Sequence, residues 1–260
     1  MVQEAYLKIR TLQPETVRDP EAFLVTTVTR LCLDQIRSAR ARREVYVGPW
    51  LPEPIVDAEQ ITPHSAGELA DDLSFALLLS LEKLSPSERA AFLLHDVFET
   101  PFSQISLILE KSETACRQLA ARARKAIRSA RPSVPIGEKE HRMLLIRFSE
   151  AARTGDTAEL QKLLAADAVA YTDGGGQKLA ALRPIFGADK IARFFTGLAR
   201  KNKAGKEKVN VSLNSINGMP GIVVQMNETI EQTVTLDVAD RKIQSIYIVR
   251  NPAKLQAVGQ

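Results

Sequence analysis

Proline placement constrains this chain more than any other feature. Three prolines and a glycine fall between Tyr46 and Pro54, and two prolines and a second glycine between Pro132 and Gly137. A proline inside a helix removes a backbone donor and clashes with the preceding turn, at a cost of about 3 kcal/mol. Neither stretch can continue a helix. The 260 residues are therefore cut into parts at 1–44, 68–131 and 138–260, with a linker over 45–67. At about 150 residues per domain, two or three domains suit this length. The linker carries apolar Trp50, Leu51, Ile55 and Val56, so it is expected to lie docked on a surface, with Trp50 as the apolar plug.

The parts differ in period. In 1–43, apolar residues recur at helical spacing through Phe23, Leu24, Val25, Val28, Leu31, Cys32 and Ile36. Asp19 is placed to cap that helix with Pro20 in its first turn. The second part predicts helices near 69–84, 86–97, 101–109 and 113–130. Ser85, Pro86 and Glu88 form a capping box, and Thr100 with Pro101 repeats the cap-plus-proline device. The third part predicts helices near 138–153, 156–165 and 187–202. Runs rich in Val, Ile and Thr follow at Val209–Ile216, Gly221–Met226, Ile230–Val238 and Lys242–Val249. Helices followed by an antiparallel meander make this part α+β.

Composition excludes several classes. Hydrophobic residues at 45% and charged residues at 25% describe an ordinary globular chain rather than a disordered one. No apolar run approaches the ~18 residues that span a bilayer, and the segment from Met1 to Tyr6 lacks a signal core. No membrane association is expected. Cys32 and Cys116 are the only thiols; two suit a reducing cytoplasm and cannot build a four-thiolate zinc site. No metal site and no cofactor are expected, because nucleotide-binding glycine loops are also missing.

Charge is segregated. The net charge is only +4, yet Arg30, Arg37, Arg40, Arg42 and Arg43 crowd one stretch beside Asp34 alone, and Lys111–Arg131 holds seven bases beside Glu113 alone. On the 113–130 helix, Cys116, Ala120, Ala123 and Ile127 form a narrow apolar stripe of mostly small residues. The other side displays Arg117, Gln118, Arg122, Arg124, Lys125 and Arg128. With the short helix before it, this is the outline of a helix-turn-helix whose basic face suits a major groove. Against that stands a plain surface helix with a solvated basic face, and the turn at Glu110 and Lys111 has no glycine. The Arg30–Arg43 stretch suits phosphate contact, or simply complements its own helix dipole.

These segments resemble extracytoplasmic-function sigma factors. Phe23–Glu44 resembles their regions 2.3 and 2.4, Val2–Leu7 the end of region 2.2, and Leu84–Phe92 with Ser112–Ile127 their region 4. Trp50-Leu-Pro-Glu-Pro54, Asp173-Gly-Gly-Gly176 and Asn251-Pro-Ala-Lys-Leu255 are similar to signatures of a subgroup with a fused SnoaL-like extension. That extension has the NTF2-like fold, an α+β cone with a curved antiparallel sheet. The family carries one or two further helices before the segment matching Val2–Leu7, so much of the polymerase-binding hairpin is expected to be missing.

The resemblance implies binding of core RNA polymerase and promoter DNA. The −10 contacts would fall on Arg30, Arg37, Arg40, Arg42 and Arg43. The −35 contacts would fall on Ser112, Thr114, Arg117, Gln118, Arg122, Arg124 and Lys125. Interdomain regulation would involve Trp50, Leu51, Pro52, Glu53, Pro54, Asp173, Gly174, Gly175, Gly176, Asn251, Pro252, Lys254 and Leu255, replacing a separate anti-sigma protein. Two other classes remain open. One is a DNA-binding regulator that senses a small-molecule ligand in the cone and does not use polymerase. The other is a cyclase- or isomerase-like enzyme, whose acid–base work would fall to Asp167, Asp173, Glu228, Glu231 or Asp237. The lack of any histidine after His141, and so in any of the strand-like runs, speaks against the enzyme, and no catalytic residue is expected.

Overall fold

The structure, a computed structural model, describes residues 2–10, 19–41, 46–56, 75–130, 137–202 and 209–259. The chain divides into two compact units. Met1–Val45 and Ser80–Ala130 form one; Tyr46–Leu79 and Arg131–Gln260 form the other. The described linker, residues 46–56, thus belongs to the strand-rich unit. No described helix is long and apolar enough to cross a membrane.

The first unit is helical. It holds α1 (Val2–Arg10), α2 (Pro20–Ala41), the end of α3 (Phe75–Lys83), α4 (Pro86–Phe92), α5 (Phe102–Leu109) and α6 (Glu113–Ala130). Asp19 caps α2 through a 3.0 Å bond from the Ala22 amide. Ser85 and Glu88 cap α4 reciprocally. The expected helix over 86–97 departs from α-geometry at Leu93, where a π turn runs to Val97. The expected Thr100 cap does not form: Pro101 itself occupies the cap position, without a side-chain bond. Thr100 is instead buried, and its amide and carbonyl are used by the Leu94 carbonyl and the His95 ring. Leu94, Ile105, Ile108 and Cys116 form a core joined by Val25, Phe102 and Leu109, so α2 packs on the helix-turn-helix itself.

The second unit is α+β. Helices α7 (Glu138–Thr154), α8 (Thr157–Leu163) and α9 (Ala188–Asn202) cover a six-stranded sheet. The strands are β1 (Leu164–Asp173), β2 (Ile185–Phe186), β3 (Val209–Ile216), β4 (Met219–Met226), β5 (Thr229–Ala239) and β6 (Lys242–Val249), in the order β2-β1-β6-β5-β4-β3. The four expected strand runs form the antiparallel meander β3 to β6. Two-residue hairpins join them, with both central residues at positive φ, as at Asn217 and Gly218 (51° and 74°); this turn follows the right-handed twist of the strands. Alternation sets the faces. Val234, Leu236 and Val238 point into the core with Phe148, Leu160, Ile191 and Phe195, while Thr233, Thr235 and Asp237 occupy the opposite face.

One element differs from expectation. The helix expected over 156–165 ends at Leu163, and the chain enters β1. β1 runs parallel to β6, with Thr172 opposite Ile248 and Asp173 opposite Val249. That pairing positions the site: it brings the carboxyl ends of β1 and β6 to the same end of the sheet. The closing helix α10 (Pro252–Leu255), capped by Asn251, starts there.

Candidate functional site

The helix-turn-helix is built by α5 and α6. Its turn contains no glycine because Glu110 adopts the left-handed conformation itself (φ 55°, ψ 45°). Ser112 caps α6 through a 3.2 Å bond from the Ala115 amide. Cys116, Ala120, Ala123 and Ile127 are buried as the stripe requires. Burial pushes the Cys116 thiol pKa up, which keeps it a neutral core group. Thr114, Arg117, Gln118, Arg122, Lys125 and Arg128 are exposed. The arginines are not equivalent. Arg117 lies 2.8 Å from Glu113 and stacks its guanidinium 5.4 Å from the Phe102 ring centre. Arg122 lies 3.3 Å from Glu88. Arg124 is held at 2.6 Å by Asp96 and is only about one-third exposed (32%).

The strand-rich unit binds the linker at two points. At the first, Asp173 is completely buried. Its Oδ1 accepts from the Tyr46 hydroxyl at 2.5 Å and the Gly175 amide at 3.0 Å. Its Oδ2 accepts from the Leu51 amide at 2.9 Å and from Lys254 Nζ at 2.8 Å. The same ammonium donates to the Leu51 carbonyl and lies 4.4 Å from the Trp50 ring centre and 4.9 Å from that of Tyr46. Asn251 donates to the Tyr46 hydroxyl at 2.9 Å. Partial burial, and then the bond to Asp173, push the Tyr46 phenol up to about 12. Gly175 is required here: its φ is +58°, and a Cβ would stand 2.3 Å from Asn251 Nδ2.

At the second point, the Asn217 side chain accepts from the Ile55 amide at 3.0 Å and donates to the Glu53 carbonyl, while its own amide donates to the Ile55 carbonyl at 2.7 Å. Val56 bridges Ile216 at the sheet edge. Between the two points Leu51 is fully buried among Ile216, Val223, Tyr247, Val249 and Leu255. Burying such a side chain contributes about 1.5–3 kcal/mol.

Residues 74–127 match the model of the sigma-70 region 4 family. The chain is 38% identical over 266 residues to the ECF RNA polymerase sigma factor SigJ of Mycobacterium tuberculosis, covering 98% of this chain and 84% of that one. This chain belongs to the ECF RNA polymerase sigma factor family. It is also 28% identical over 257 residues to the probable ECF RNA polymerase sigma factor SigI of that organism, covering 98% of this chain and 85% of that relative. The crystal structure of SigJ superposes with a TM-score of 0.73 at 33% identity, covering 98% of this chain and 88% of that one.

In this sigma factor the three motifs outside the helical unit meet. Leu51, Asp173, Asn251 and Lys254 are directly bonded to or across the first linker site. Pro52 and Leu255 are buried, Pro54 is buried, and Glu53 contributes its carbonyl. Gly174 and Gly176 pass close to Lys178 and Val47, and Pro252 opens α10. One expectation is corrected. Trp50 is not the plug: it is 40% exposed, and Leu51 fills that place. Asp173 ends a buried strand.

The arginine-rich stretch of the sigma factor is described only in part. Arg30 is exposed on α2 and bonded to the helix-turn-helix turn. Arg37 and Arg40 lie on the last turns of α2, while Arg42 and Arg43 lie outside the described residues. Tyr46 and Asn217 were not legible as site residues. Tyr46 had no partner in sequence, and Asn217 sits at a positive-φ turn position that already suits asparagine. Of the carboxylates weighed for catalysis, Asp167 and Glu228 are exposed and Glu231 pairs with Lys178 at 3.0 Å; Asp237 lies buried on the sheet face away from the helices and has a partner.

Proposed function

We propose that this alternative sigma factor, which directs transcription initiation, is restrained in cis by its α+β unit through the linker between α2 and α3. The observation that carries the reading is Asp173. All four acceptor positions of a carboxylate are taken by Tyr46, Leu51, Gly175 and Lys254. A carboxylate so saturated has no acceptor position left for another ligand, so its role is to hold. What it holds is the segment whose length sets how far region 2 and region 4 can separate. Core RNA polymerase and promoter DNA are the partners, region 4 reading DNA through Thr114, Arg117, Gln118, Arg122 and Lys125. No separate anti-sigma protein is needed, because the restraint is covalently attached.

The test is promoter-specific transcription with purified core polymerase. Asp173→Asn keeps the shape and removes the charge that Lys254 pairs with. The variant is expected to transcribe more than the parent at equal concentration. Equal transcription by both, with the linker shown to be released, would overturn the reading.

A further inference from the structure

Arg30 sits in the stretch that resemblance assigns to promoter contact, yet one of its guanidinium nitrogens lies 3.2 Å from the Leu107 carbonyl and 3.1 Å from Glu110 Oε1. Leu107 belongs to the last turn of α5, where helix carbonyls have no partner within the helix. A cation there also faces the negative end of the helix dipole. Glu110 is the residue in the left-handed conformation at the turn (φ 55°), which costs a non-glycine residue about 1–2 kcal/mol. A glycine or asparagine would close this turn with less strain, but would not offer Arg30 a carboxylate. The strained residue and the cation from α2 therefore form one device, backed by Val25 against the cluster of Leu94, Ile105, Ile108 and Cys116.

We propose that Arg30 and Glu110 are a closed-state latch between α2 and the helix-turn-helix, and that DNA phosphate opens it by competing for Arg30. One nitrogen serves both Leu107 and Glu110. A phosphate is an anion as Glu110 is, so beside Arg30 it competes with the carboxylate for the same charge. This rests on the reading that α2 contacts DNA. It goes beyond the linker restraint, because it lies wholly within the helical unit.

The test uses the full chain and hydrogen exchange at α2. Glu110→Asn keeps a residue that tolerates the left-handed turn and removes the carboxylate. An exposed ion pair of this kind changes an opening equilibrium about 1.5- to 5-fold, and exchange along α2 is expected to quicken by that factor. The reciprocal pair, Arg30→Glu with Glu110→Arg, is expected to restore the slow rate that Arg30→Glu alone loses. Unchanged exchange in Glu110→Asn overturns the latch, as does failure of the reciprocal pair to restore it. Binding to a duplex without promoter sequence should strengthen by the same factor in Glu110→Asn, and no gain overturns the competition. Adding Arg30→Ala to Glu110→Asn separates the premise: lost DNA affinity upholds contact between α2 and DNA, and unchanged affinity removes it while leaving the exchange result standing.

Discussion

Replacing Lys254 by methionine tests how the linker is held. The substitution keeps the aliphatic stem and removes the ammonium, which is 8% exposed and bonded to Asp173 and the Leu51 carbonyl. Asp173 is fully buried and would be left charged with only three donors. Removing one partner of a buried ion pair costs about 3–5 kcal/mol, or about two to three and a half decades in the docking equilibrium. Trp50 is the sole tryptophan and lies against the missing ammonium, so its emission reports the linker alone. In a urea titration, the Trp50 transition of Lys254→Met should move to lower denaturant and separate from the unfolding of the sheet. Asp173→Asn with Lys254→Met should recover part of the loss, because a pair removed together leaves no unpaired charge. An unshifted Trp50 midpoint, or a double variant no better than Lys254→Met, would refute the argument that the buried charge pair holds the linker.

Two further outcomes follow from the same geometry. The fold favours the neutral Tyr46 phenol, whose pKa is raised from about 10 to about 12. Linker docking is therefore fully stabilised below about pH 10 and loses that stability as pH rises toward about 12. Tyr46→Phe should flatten the alkaline decline in the Trp50 transition but not abolish it, since burial also raises Tyr171 and Tyr247. On α6, Arg117→Ala should weaken duplex binding and lower its salt slope by about 1. Arg124→Ala, whose side chain is already held by Asp96, should cost up to about 1 kcal/mol of stability and change the slope less; equal slopes for the two variants would remove the distinction.

Much of the fold was legible because local chemistry and tertiary packing agree. The α6 stripe repeats every three or four residues and is buried along its length, and β3 and β6 keep the bounds that their alternation implies. The motifs of the linker site were legible too, but only as separate words. What joins Asp173 to Asn251 and Lys254 is a parallel pairing between β1 and β6. Strand β1, Leu164–Asp173, is rich in alanine, a weak strand former, and follows a helix with no breaker between them. Its state is decided by the sheet it joins, which no local pattern announces. Trp50 was misread for a related reason. Size suggests burial, but an indole over an ammonium keeps one face open and still contributes. Glu110 shows the reverse case, a turn without its usual glycine whose occupant pairs with Arg30.

The span of the linker site along the chain has a consequence in time. Leu51 is bonded to Lys254, 203 positions later. At a synthesis rate of about 5–20 residues per second, the ribosome needs about 10–40 s to supply the lysine after the linker has been made. The helical unit is complete at Ala130, well before β6 exists to seat Asp173. Each newly made molecule thus passes through an interval in which its helix-turn-helix is finished and its linker contacts are not.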